Sequence, residues 1–283
     1  MIELFQETPV EEYTLNGTPI FVKREDLCAD YPMPPLAKMR GVLRFIKGRM
    51  GQVKTFGILD TRISKSGQGV AVICGRLGLR CRYYFPLLVS QKEFSPQWCI
   101  AGEQPGTELV PMHGGRTAVL RAQATRDCQM RGVLMLPQGL PLFESVLATA
   151  EVLAGVPGDL LGGTICLSTG TGTILSGLIL GLAQRRAHPY LLGVSASMST
   201  DKQRALIQGH LARIKVERLA APEEVGCVIS RLTLLKGMGD YYTPGRFVPP
   251  WPAHPFYEFK ALDTIVPLLS TFPQPILFWN IGS

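Results

Sequence analysis

The sequence predicts an α/β fold with parallel-rich sheets flanked by helices, and two observations carry that reading. From residue 54 onward, strand-like apolar runs alternate with helical ones in units of about 20 to 40 residues. That alternation is the rhythm of βαβ units, in which each crossover helix covers a face of a buried parallel sheet. The second observation is a turn of glycines and hydroxyl residues at 168–173, set between an apolar strand and an apolar helix.

Taken in order, KTFGILD (54–60) reads as a strand, SGQGVAVICGRLG (66–78) as a helix that Gly78 can stop, and RCRYYFPLLV (80–89) as the next strand. The rhythm recurs in TELVPM (107–112), the polar helix TAVLRAQATRDCQMRG (117–132) and VLMLPQG (133–139). It recurs again in GTICLST (163–169), GTILSGLILGLAQRR (172–186) and YLLGVSAS (190–197). The proline-rich stretch TPGRFVPPWPAHP (243–255) reads as a loop or lid, because the patterned segments FYEFKALDTIVPLL (256–269) and PILFWNIGS (275–283) still follow it. No fixed-period repeat or low-complexity tract interrupts the pattern.

Composition narrows the class. With 283 residues, 46% hydrophobic and 18% charged, the chain can bury the core of one large domain or two modest ones. No apolar run reaches the roughly 18 residues of a membrane helix, and the N-terminal MIELFQETPV carries acids where a secretion signal carries Lys or Arg. A cytoplasmic location is expected. The seven cysteines are scattered and never closer than seven positions apart, so they are read as buried thiols rather than a disulfide framework or zinc site. The four histidines form no metal-binding cluster either. The net charge of +7 is compatible with an anionic partner, but the basic residues are spread without a continuous block.

Four constellations carry chemistry. In PPLAKMRG (34–41), two prolines bring the chain stiffly to a helix start, and Lys38 stands there with its amine. Ser64, Lys65, Ser66 and Gly67 form a hydroxyl-glycine turn ahead of a helix, a setting that suits a carboxylate or another anion. In Ser168 to Thr173, glycines let successive N–H groups converge, hydroxyls add donors and the helix start adds positive potential, which together hold a phosphate. The spacing fits neither the P-loop nor the dinucleotide fingerprint. Finally, Tyr257 and Glu258 precede an amphipathic helix, and the apolar run that follows closes with Asn280, Ile281, Gly282 and Ser283.

In this order the constellations resemble the pyridoxal-phosphate (PLP) enzymes of the tryptophan-synthase β type, fold type II. Within them the chain is most similar to the branch of 1-aminocyclopropane-1-carboxylate deaminase and D-cysteine desulfhydrase. FVKREDLC (21–28) resembles the branch's opening strand and acidic turn, AKMRG its lysine segment, and ISKSGQGVAVICGRLGLRC its substrate-carboxylate loop and helix. STGTGTILSGL resembles its phosphate cup and GVSAS the strand after it; YEFKALDTIVPLL and LFWNIGS resemble its tyrosine-glutamate segment and last core strand. The resemblance implies a two-domain PLP lyase that breaks a bond at Cα of an amino-acid substrate. It implies a large PLP-binding domain of residues 1–45 and 148–283 and a small domain of residues 46–147. Lys38 would form the Schiff base and later carry protons, and Tyr257 would aid acid-base chemistry or touch substrate. Gly170, Thr171, Gly172 and Thr173 would cradle the phosphate, Glu258 would face the pyridine nitrogen, and Lys65 would stand beside the cofactor ring. Ser64, Lys65, Ser66 and Gly67 would bind the substrate. Relatives are commonly dimers, so a homodimer is an expectation.

The chain departs from that branch at three positions: Lys65 replaces an Asn, Ile63 a frequent Gln, and Ile281 a frequent Thr. An altered grip by Lys65 would leave the substrate carboxylate perpendicular to the ring and favour loss of carbon dioxide over deamination or β-elimination. The short form, with LCADYPMPPLAKMRG, also looks like compact PLP proteins of bacteriophages, some of which hypermodify thymidine by decarboxylating an amino acid already attached to the base. Two substrate classes therefore stay open, an amino-acid-like small molecule and an aminoacyl-modified nucleotide or DNA, the latter in a host cytoplasm. A third reading is a non-catalytic descendant that binds a phosphate ligand or nucleic acid; the joint presence of Lys38, the phosphate turn and Glu258 speaks against it.

Overall fold

A computed structural model describes residues 4–87, 93–113, 115–196 and 198–282. The chain divides into two compact units. Met1–Leu4, Asp30–Pro34 and Val42–Pro141 make the first, and Phe5–Ala29, Pro35–Gly41 and Leu142–Ser283 make the second.

The chain opens in the second unit with an antiparallel hairpin, β1 (Val10–Leu15) and β2 (Thr18–Arg24), joined at Asn16-Gly17. A 3-10 turn at Glu25–Leu27 follows β2, and helix α1 (Met39–Lys47) starts directly after Lys38. The first unit then runs β3 (Thr55–Leu59), α2 (Ser66–Arg76), β4 (Arg80–Leu87), α3 (Pro96–Gly102), β5 (Thr107–His113), α4 (Thr117–Met130) and β6 (Leu134–Met135). Its four strands are parallel, in the order β5-β4-β3-β6. Helix α2 stops where expected: Gly78 takes φ +66°, and the Leu79 amide donates back to the Cys74 carbonyl at 2.9 Å.

The second unit resumes with α5 (Phe143–Ala154), β7 (Thr164–Thr169), α6 (Thr173–Gln184), β8 (Tyr190–Ser195), α7 (Thr200–Val216), α8 (Pro222–Ser230), β9 (Leu232–Lys236), α9 (Glu258–Ile265) and β10 (Ile276–Asn280). Its sheet has the order β1-β2-β10-β7-β8-β9, parallel except for β1. Every residue of β7 and β10 is buried, as strands covered on both faces require. One apolar cluster forms between that sheet and α6, through Leu167, Leu175, Leu178, Ile179 and Trp279. A second, with Val22, Phe278, Leu262 and Ile265, packs α9 against the sheet.

The α/β class with parallel-rich sheets is therefore what the chain adopts, with adjustments at the ends of elements. The strand expected over 80–89 runs to Leu87, and positions 88 and 89 lie outside the described residues, as does Ser197 at the end of YLLGVSAS. The segment 133–139 yields only two strand residues, because Pro137 has no N–H to extend a ladder. The closing helix passes into a 3-10 helix at Val266–Thr271, where Pro267 removes a donor from the α pattern. Cys99 and Cys227 are exposed, not buried like the other five cysteines, because each stands on the outer face of a short helix. No helix among the described residues is long and apolar enough to cross a membrane.

Candidate active site

In the second unit, three parallel neighbours, β2, β10 and β7, end on the same side of the sheet, and functional residues of such sheets gather outside their carboxyl ends. β7 leads into the turn Thr169 to Gly172. Gly172 is the residue before α6 and takes φ +75°, and a Cβ there would lie 2.6 Å from Cγ1 of Ile207. Both facts demand glycine. The Thr171 and Thr173 hydroxyls lie 2.9 Å apart. Gly170 has open space where a Cβ would be. The turn thus presents amides and two hydroxyls at a helix start, the donor set an anionic phosphate needs.

β10 ties the lysine segment to the same edge. The Ala37 amide donates to the Ile281 carbonyl at 3.1 Å, and a Cβ on Gly282, which has φ +115°, would lie 1.6 Å from the Pro35 carbonyl oxygen. Glycine is what lets the proline-led approach lie against the end of β10. Lys38 is half-buried in the turn that follows, and its carbonyl accepts from the Gly41 amide and from Ser145 Oγ at 2.9 Å.

Asn280, the last residue of β10, donates through Nδ2 to the Pro252 carbonyl at 2.9 Å and to Asp26 Oδ1 at 2.8 Å. Asp26 follows β2 and is gripped bidentately by Arg24, at 2.9 and 2.8 Å. Pro252 leads toward Glu258, which opens α9 and is wholly buried. One of its oxygens, Oε2, accepts from the His254 amide at 3.2 Å, while Oε1 has no hydrogen-bond partner. Burial pushes the Glu258 carboxyl up to about 8, Asp26 adds to the rise, and the backbone N–H groups of Glu258, His254 and Ile281 oppose it. A solvated acid at a helix start would behave otherwise; this carboxyl holds its proton at neutral pH. Tyr257 is half-buried beside it, its hydroxyl 2.6 Å from that of Tyr241.

In the first unit, the turn after β3 is built around Asp60. Its carboxylate accepts from the Thr61 amide at 3.0 Å, the Gly67 amide at 2.6 Å and the Tyr83 hydroxyl at 3.3 Å. Ser64 Oγ accepts from the Ser66 amide at 3.2 Å, and Lys65 stands directly before α2. Burial pushes the Lys65 amine down. Gly67 is glycine for packing: a Cβ would lie 2.3 Å from the Tyr83 ring.

The structure adds residues that sequence reasoning passed over. Gln203 on α7 is fully buried, and its Nε2 donates to the Thr169 carbonyl, Thr169 Oγ1 and the Gly170 carbonyl at 3.0 to 3.2 Å, bracing the glycine turn. It is one of two glutamines in a polar helix about 30 residues downstream of the turn, and no local pattern marks it. Asp26 and Arg24 were visible as charges inside FVKREDLC, but their burial was not.

A glycine-hydroxyl turn, a buried carboxyl and a lysine turn thus gather at the carboxyl ends of neighbouring parallel strands. The chain is 32% identical, over 99% of its own length and 99% of the relative's, to the glycyl-dTMP PLP-dependent decarboxylase of Pseudomonas phage M6. Among solved structures it is similar to a homologue of ACC deaminase, with TM-score 0.75, 18% identity and coverage of 99% of this chain and 90% of that one. It is also similar to threonine deaminase isoform 2 from Solanum lycopersicum, with TM-score 0.65, 15% identity, and coverage of 99% and 84%. No family model matches the chain. The chain belongs to the PLP-dependent enzymes of fold type II, in the family of the phage decarboxylase.

The residues present fit that cofactor. The orphaned Oε1 of Glu258 is a buried polar atom that needs a partner of the kind a pyridine nitrogen supplies, and the turn at Gly170–Thr173 has the donors for a phosphate.

Proposed function

We propose that this PLP-dependent lyase removes carbon dioxide from an amino acid carried on a thymidine nucleotide. The full-length relationship to the glycyl-dTMP decarboxylase carries the proposal. In the reaction the bond between Cα and the carboxylate breaks, carbon dioxide leaves, and a proton takes its place at Cα. When bound, PLP supplies an electron sink for the pair left on Cα.

The chain's residues divide the remaining work. Lys38 would hold the cofactor through Nζ, and its amine would carry the proton delivered to Cα. Gly170, Thr171, Gly172 and Thr173 hold the phosphate, with Gln203 keeping the turn in shape. Glu258 would hold the cofactor's ring nitrogen, and its raised pKa would suit a proton shared with that nitrogen. Tyr257 contacts the substrate or assists proton transfer. Ser64, Lys65, Ser66 and Gly67 grip the substrate, and Lys65 sets the orientation of the carboxylate so that its bond to Cα is the one that breaks.

The test offers PLP-loaded protein glycyl-dTMP, and free D- and L-amino acids in parallel, and identifies products by mass. Carbon dioxide and an aminated nucleotide from the first substrate are expected. Ammonia from free amino acids, with glycyl-dTMP untouched, would overturn the reading in favour of a deaminase or β-eliminating lyase.

A further inference from the structure

We propose that Tyr242 and Tyr241 form a stacking subsite for the pyrimidine base of the substrate, placed beside Tyr257. The inference rests on the reading of the substrate as a nucleotide-borne amino acid, and it names the part of the chain that would recognise the nucleotide.

The loop between β9 and α9 is irregular in backbone yet pinned at several points. Lys260 is buried, and its Nζ donates to the Asp240 carbonyl. The Asp240 carboxylate accepts from the amides of Tyr242 at 2.8 Å and Thr243 at 3.0 Å, closing a tight turn. Further along, the Gly245 amide donates to the Pro255 carbonyl at 2.8 Å, and the amides of Arg246 and Phe247 donate to Asp263 at 2.9 and 2.7 Å. Side chains projecting from this loop are therefore held in place before any ligand arrives.

The projecting side chains are apolar and aromatic. Tyr242 is 50% exposed and Met238 64% exposed. Single exposed apolar residues are ordinary on a protein surface. Tyr242 differs in being continuous with the candidate site. The Tyr242 ring meets the Tyr241 ring edge-on at 5.0 Å, Tyr241 meets Tyr257 at 6.1 Å, and Tyr257 meets His254 at 4.6 Å. The Tyr241 and Tyr257 hydroxyls are also hydrogen-bonded, which fixes the two rings together. An aromatic run thus leads from the residue next to Glu258 out to an exposed tyrosine face. A pyrimidine attached to a reacting amino acid needs such a surface: a flat, water-facing ring beside the reaction centre. Free small amino acids would leave the platform unused.

Calorimetric titration of the PLP-loaded protein with thymidine monophosphate, and with deoxyribose phosphate as the base-less control, tests the subsite. Because base stacking on one aromatic side chain is worth about tenfold or more in affinity, Tyr242→Ala should weaken thymidine monophosphate binding by about that factor and Tyr242→Phe should retain it. Deoxyribose phosphate should bind weakly and equally to all three proteins. The loss should appear in KM for glycyl-dTMP, and the visible absorbance of bound PLP should be the same in all three, which shows the fold intact. If wild type decarboxylates glycyl-dTMP but Tyr242→Ala matches it in affinity and KM, the subsite is wrong while the proposed function stands. If wild type binds thymidine monophosphate no better than deoxyribose phosphate and acts only on free amino acids, both fail.

Discussion

The protonated state of Glu258 has a consequence for stability that can be measured without any substrate. In the cofactor-stripped protein the folded carboxyl titrates at about 8, against the ordinary value of 4.5, chiefly because it is buried. Between those values the folded state keeps a proton that the unfolded chain has released, so stability falls as pH rises. The unfolding constant grows about tenfold per pH unit across that window, which from pH 5 to pH 8 sums to about 4 kcal/mol. The stabilisation is fully present below about pH 4.5 and is lost through about pH 8. Glu258→Gln keeps the shape and cannot titrate, so subtracting its stability cancels every other ionising group. Urea unfolding of both apoproteins at half-unit pH steps should give a difference that is flat below the window, slopes downward through it and is flat again above. Parallel curves from pH 5 to pH 8 would show that the folded carboxyl is ionised throughout, and would refute both its burial as a neutral acid and the role assigned to it.

Borohydride reduction of the PLP-loaded protein followed by peptide mass mapping should place the cofactor on Lys38, and Lys38→Ala should lose the visible absorbance; a label on Lys65 or Lys260 would reassign the anchor. Gly172→Ala forces a side chain into a left-handed backbone and against Ile207, so it should cost about 2 to 4 kcal/mol in urea unfolding and weaken PLP affinity. Gln203→Ala leaves the Thr169 and Gly170 carbonyls without their donor, and should cost about 1 to 3 kcal/mol with a raised Kd for PLP measured by fluorescence. Lys65→Asn should shift products from carbon dioxide toward ammonia on the same amino-acid substrate, read by quantifying both gases; an unchanged ratio would remove Lys65 from control of the broken bond.

What the sequence made legible was local. β7, its glycine turn and α6 lie consecutively, so hydrophobic period and glycine placement were enough to read strand, turn and helix within a residue or two. Gly78 as a helix stop was readable for the same reason, since only glycine takes the left-handed position cheaply. The partnerships were not legible, because they join residues far apart in sequence. Glu258 read equally well as a solvated acid at a helix start, and nothing in YEFKALD reveals that one of its oxygens lies buried without a partner. Gln203 gave no signal at all, because its function is to satisfy carbonyls on another element. Asp26 and Asn280 are 254 residues apart and meet only when β10 is in register with β2.

That register explains why the chemistry is placed where it is. β10 is formed late in the chain yet occupies the middle of the sheet, with Asn280 opposite Arg24 and Trp279 opposite Leu167. Its carboxyl end then does three things within three residues: Asn280 joins Asp26 to the loop ahead of Glu258, Ile281 receives the Ala37 amide, and Gly282 admits Pro35. The lysine segment, the buried Glu258 and the neighbouring glycine turn after β7 are therefore positioned by one strand, not by three independent loops. Cavity-forming changes inside β10 are then expected to act on the cofactor as well as on the core. Trp279→Ala removes a fully buried side chain worth about 3 to 5 kcal/mol and, by loosening the strand end, should raise the Kd for PLP in protein that remains folded. An equivalent truncation at Trp98, equally buried but in the first unit and not on β10, should cost stability while leaving PLP affinity largely unchanged.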